Sequence, residues 1–146
     1  MQYLLLVIIL HRPFCAKRYI QPAPLVGRGP HHAREMCIRS AVEIATLIMC
    51  YKQQYSLRRA SVHIVHVTFT AALILVYAII SGVASELHSD LSTHLDVCCD
   101  ALAELGEAFE NSARALDILL AIKRSWQARM VANVGGKRRA GSHGST

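Results

Sequence analysis

Apolar residues in this chain recur mostly at helical intervals, and the clearest run lies in its second half. Leu87, Leu91, Leu95, Cys98, Leu102, Leu105 and Phe109 follow one another at steps of four, four, three, four, three and four. Those steps keep one face of a helix apolar, with Asp90, Asp96, Asp100, Glu104 and Glu107 largely around it. A stripe of this length predicts a seam against neighbouring helices, since a separate coiled coil needs more heptads. Gly106 and then Asn111-Ser112 predict a break and a fresh N-cap. A last helix follows from about Ser112 to Met130, with Ala113, Leu116, Leu119, Leu120, Ile122 and Trp126 facing inward.

The first half carries three further apolar runs. Tyr3 to Leu10 predicts a short buried helix that stops at Pro13, because proline pushes its predecessor out of the helical region. His11 and Arg12 in the last turn suit the helix dipole. "AKRYIQPAPLVGRGPHH" holds three of the four prolines, so residues from about 15 to 32 read as a loop. The stretch "AREMCIRSAVEIATLIMCYKQQYS" then predicts a helix buried over a wide stripe through Met36, Ile38, Val42, Ile44, Ala45, Leu47, Ile48 and Tyr51. No convincing strand alternation occurs, so the fold expected is all-α, a multi-helix bundle.

The third run competes with that reading. Ala60 to Ser85 carries no Lys, Arg, Asp or Glu and is long enough to cross a membrane. Arg58-Arg59 before it and acid from Glu86 onward would orient such a span with its N-terminal side inside. Against a span stand His63, His66, Thr68, Thr70, Ser81 and Ser85, which a lipid-facing helix hosts poorly, and the lack of aromatic belts at both ends. The opening run is too short for a crossing, and its basic residues come after it, whereas a secretory leader places them before. A core helix in a water-soluble bundle is the preferred expectation.

Composition changes the picture in a few places. At 146 residues, with 53% hydrophobic and 18% charged side chains, the chain is one domain able to bury a core. Its net charge of +6 is uneven, since eight acids and a single base, Arg114, lie from Glu86 to Asp117, and six bases without an acid follow from Lys123. Basic residues do not gather until the tail, which argues against a dedicated nucleic-acid binder. "VANVGGKRRAGSHGST", residues 131–146, has no apolar period and is expected to be a disordered basic tail. Cys15, Cys37, Cys50, Cys98 and Cys99 are odd in number and sit mostly on apolar helical faces, as free thiols in a reducing compartment would.

Candidate chemistry is sparse. There is no phosphate-cradling glycine loop and no Gly-x-Ser-x-Gly elbow. His63 and His66 are three apart on a helix, yet no acid or cysteine lies near them in sequence to complete a metal site. His31-His32 reads as helix capping or solvated histidine. Cys98-Cys99 lacks Cys-x-x-Cys spacing, so one thiol faces the core and its neighbour does not. The acids between Glu86 and Asp117 read as solvated helix faces. The expectation is a protein that is not an enzyme, with no catalytic, cofactor, metal or DNA-contacting residue.

One resemblance goes further. "ILHRPF" (Ile9 to Phe14) resembles the motif that ends a core helix in the fungal-specific transcription factor domain, the helical regulatory region downstream of the zinc binuclear cluster in fungal regulators. "CIRSAVEIATLI" (Cys37 to Ile48) followed by "YSLRRAS" (Tyr55 to Ser61), and "CCDALAELGEAFENSARALDILLAIKRSW" (Cys98 to Trp126), are similar to later parts of the same domain, in the same order. The resemblance implies that residues 1–130 are the C-terminal part of a larger helical regulatory domain, with His11, Arg12, Pro13 and Phe14 as its structural motif. It implies a nuclear, non-catalytic protein that regulates transcription through protein contacts or effector sensing. The six clustered cysteines that hold zinc in full-length relatives have no counterpart here, nor has the linker and dimerising coiled coil after them. The zinc cofactor therefore belongs to that missing cluster, and no direct DNA contact is carried over. A first helix that starts inside a core element also implies bare apolar surface, and with it association with the rest of the domain, with partner proteins or with itself.

Overall fold

A computed structural model describes residues 1–15, 29–82 and 90–140, with side chains through residue 128. Among the described residues the elements are helices and 3-10 turns: α1 (Gln2–His11), a 3-10 turn (Arg12–Phe14), α2 (Gly29–Gln54), a second 3-10 turn (Leu57–Arg59), α3 (His63–Ile80), α4 (Leu91–Gly106) and α5 (Glu110–Ala140). The architecture is an all-α multi-helix bundle, as the apolar periodicity predicts.

α3 lies at the centre and touches each of the other helices. Its mean hydropathy is 2.1 over 18 residues, enough by length and composition to cross a membrane, and 56% of those residues are buried inside the bundle. Val65, Val67, Ala71, Ala72, Ile74, Leu75, Val76 and Ala78 meet the core, and Thr68 and Thr70 are buried with them. The Thr68 hydroxyl donates to the Ile64 carbonyl at 2.7 Å, which satisfies it within its own helix. Ser85, at the far end of the candidate span, lies outside the described residues.

α4 packs its stripe inward: Leu91, Leu95, Cys98, Leu102 and Leu105 are buried, and Phe109 rests partly buried against the core. Leu87 lies outside the described residues. α2 buries Ala33, Cys37, Ile38, Ala41, Ile44, Ala45 and Ile48, whereas Leu47, expected inside, is exposed and Met36 is half-buried. The buried stripe therefore runs through Cys37 and Ala41, small residues that let α1 and α3 approach. α2 also begins earlier than expected, at Gly29, because Pro30 suits a first helical turn, where its missing N–H costs nothing. The expected loop from about 15 to 32 thus ends before its last residues, and residues 16–28 lie outside the described ones.

Two expectations for the C-terminal half need correction. Ser112 is not the N-cap of α5, which already starts at Glu110; it is fully buried and donates to the Leu102 carbonyl of α4 at 2.8 Å. The inward positions shift accordingly: Leu119 is buried, Leu116, Leu120 and Ile122 are half-buried, and Ala113 and Trp126 are exposed. The backbone of α5 is helical to Ala140, into the stretch that the sequence reads as a basic tail. No proline interrupts it, and Lys137-Arg138-Arg139 is favoured at a helix C-terminus. Residues 141–146 lie outside the described ones.

Candidate functional site

Helix α1 is apolar on all sides and ends where Pro13 enters a 3-10 turn. Of this His-Arg-Pro-Phe stretch, Arg12 lines a cavity. His11 is half-buried; its Nδ1 lies 2.8 Å from the Val7 carbonyl, and its ring meets His32 of α2 edge-on with centroids 6.1 Å apart. Pro13 is exposed and Phe14 half-buried. Arg12 turns toward a cavity of about 310 Å³ whose other lining residues include Cys15, Arg34 and Cys37, with Thr70, Leu73, Ile74 and Tyr77 of α3 as the floor. Arg34 Nε donates to the Cys15 carbonyl at 2.9 Å, fastening the turn to α2.

The sulfurs of Cys15 and Cys37 face each other at 3.6 Å across 22 residues of chain. In the neutral pair the Cys15 thiol donates to Cys37; once Cys15 is ionised, the Cys37 thiol is the donor. That hydrogen bond holds Cys15 below the usual thiol range, burial opposes it, and the guanidinium groups of Arg34 and Arg12 assist. Cys37 is pushed strongly upward by the same bond and by its burial. The remaining cysteines differ. Cys98 is fully buried and raised to about 12 by desolvation, Cys99 is half-buried and also raised, and Cys50 is exposed. The neighbours Cys98 and Cys99 thus divide between core and boundary, as their helical spacing implies.

Other sequence candidates stay apart. His63 and His66 are exposed on the first turns of α3, and among the described residues no group of three or more His, Cys, Asp or Glu side chains is placed to hold a metal. Asp90, Asp96, Asp100 and Glu107 are exposed on α4 or at its ends. Glu104 is different: its carboxylate accepts from the Leu57 backbone N–H at 3.2 Å and pairs with Lys52 Nζ at 3.4 Å. It fastens the corner between α2 and α3 to α4, with an Arg58–Glu107 ion pair beside it. A second, more apolar cavity of about 600 Å³ lies among α3, α4 and α5, lined by Val76, Ile79, Ile80, Leu95, Lys123 and Trp126.

Sequence reasoning singled out His11 to Phe14 but missed Cys15, Arg34 and Cys37 as their companions. The only local hint is that Cys37 and Arg34 share a face of α2, one turn apart. Compared with known proteins, the chain matches no family model, no curated protein and no solved structure.

Proposed function

We propose that this chain is a non-catalytic piece of a fungal transcription factor's regulatory domain, working in the nucleus through protein contacts. The reading rests on the ordered motifs from Ile9 to Phe14, Cys37 to Ser61 and Cys98 to Trp126, together with the all-α bundle. The single observation that carries it is the outer face of α1. Tyr3, Leu6 and Leu10 are 74%, 57% and 67% exposed, although the helix holds no Lys, Arg, Asp or Glu. Such a face invites a partner, and it adjoins the His-Arg-Pro-Phe turn. The Arg12–Arg34 cavity is the candidate place for an effector.

Fusion of the chain to a heterologous DNA-binding domain, with transcription read from a reporter, tests this reading. A change in output over the DNA-binding domain alone, lost in the Leu6→Glu/Leu10→Glu variant that still folds, is expected. Reporter output unchanged by the fusion would overturn the reading.

The length and hydropathy of α3 favour one competing reading, a small single-span membrane protein using Ala60 to Ser85. Burial of α3 among its neighbours weighs against it. Carbonate extraction separates the two: release into the supernatant is expected of the regulator, and a resistant pellet, with aggregation controlled for, of the span.

A further inference from the structure

We propose that Cys15 and Cys37 are a peroxide-reactive dithiol, closing to an intrachain disulfide that ties the turn after α1 to α2. This goes beyond the regulatory reading and does not depend on it.

Geometry carries the proposal. Residues 22 apart in sequence bring their sulfurs to 3.6 Å, so a disulfide of about 2.05 Å needs an approach of roughly 1.6 Å. The two thiols are unequal in access. Cys15 is half-buried, Cys37 is 1% exposed behind it, and both line the cavity of about 310 Å³ that Arg12 and Arg34 make cationic. Such a cavity admits a small hydroperoxide, and paired guanidinium groups stabilise both a thiolate and an oxyanion leaving group. The hydrogen bond from Cys37, assisted by Arg34 and Arg12, favours the Cys15 thiolate, whereas Cys37 stays protonated.

The roles follow. The Cys15 thiolate attacks one oxygen of the hydroperoxide; an S–O bond forms, the O–O bond breaks, and the departing alkoxide takes a proton from solvent to leave as alcohol, or as water from hydrogen peroxide. Cys15 is then a sulfenic acid. The Cys37 sulfur attacks the Cys15 sulfur; an S–S bond forms, the S–O bond breaks, and the departing hydroxide takes the Cys37 proton and leaves as water. Two thiols have lost two electrons, and the peroxide has gained them.

The test treats the whole reduced chain with stoichiometric hydrogen peroxide, blocks remaining thiols with an alkylating agent, and maps peptides by mass spectrometry without reduction. Free thiols are expected to fall from five to three, with the Cys15 peptide joined to the Cys37 peptide before the exposed Cys50 reacts. Cys50→Ser leaves the cross-link in place. Cys37→Ser traps a sulfenic acid at Cys15 that a dimedone probe labels. The wild-type map decides the matter even if that variant folds poorly. The oxidised chain is also expected to melt higher by about 10 °C. Oxidation of Cys50 or Cys99 ahead of Cys15, or oxidation of Cys15 without a link to Cys37, would overturn the proposal.

Discussion

Helices α1 and α4 meet the bundle in opposite ways. α4 segregates its residues: Leu91, Leu95, Cys98, Leu102 and Leu105 are buried, while Asp96 and Asp100 face water. α1 does not segregate. Val7 and Ile8 are buried, yet Tyr3, Leu6, Ile9 and Leu10 remain exposed on a helix without Lys, Arg, Asp or Glu. The contrast teaches that α4 keeps its apolar residues on the face it packs, whereas α1 is apolar on faces that the described residues leave exposed.

The largest effect is expected from shortening one buried or exposed leucine on each helix in turn. Leu102→Ala removes a fully buried side chain of α4 and is expected to lower stability by about 3 kcal/mol in denaturant melts. If it costs less than Leu6→Ala in α1, the two helices are not partnered as described.

Alkaline titration tests the burial of α4 through its thiol. Cys98 of α4 is held at about 12 against an ordinary value of 9.0, so the folded state retains a proton that the unfolded chain releases. The stability this contributes is present below pH 9 and is lost as pH climbs toward 12, with a slope of up to about 1.4 kcal/mol per pH unit. Cys98→Ala should flatten that slope, and an unchanged profile would show that Cys98 is not desolvated.

Ser112→Ala removes the hydroxyl that joins α5 to the Leu102 carbonyl, with an expected cost of about 1 kcal/mol in the same melts. The smallest effect belongs to Leu6→Ser and Leu10→Ser, each expected within about 0.5 kcal/mol of wild type, because both side chains already face water. Hydrophobic-dye fluorescence and light-scattering mass should nonetheless fall together in the double variant. A loss of several kcal/mol would mean that α1 is covered by its own chain.

Much of this was legible where the cause is local. The steps of three and four in α4 mark its buried face, and Pro13 marks the end of α1. The charge-free run centred on α3 marks the middle of the bundle, though length and hydropathy alone do not tell a core helix from a span. What stayed hidden depends on residues distant in sequence. Ser112 resembles an N-cap, and only the packing of α5 on α4 gives its hydroxyl the Leu102 carbonyl instead. Leu57 stands between a serine and two arginines, without periodicity, yet it is fully buried because its turn folds over α4. The pairing of Cys15 with Cys37 joins residues 22 apart, and neither cysteine carries a spacing motif that announces it.

The Glu104 clasp has a consequence for synthesis on the ribosome. The Leu57 amide is emitted 47 residues before the carboxylate that accepts its hydrogen bond. At cellular elongation rates the interval is roughly 2 to 9 s. Until it ends, the nascent α2, joined by α3 once residue 80 is made, must keep its greasy inner flank away from other chains, which is the circumstance in which chaperones bind.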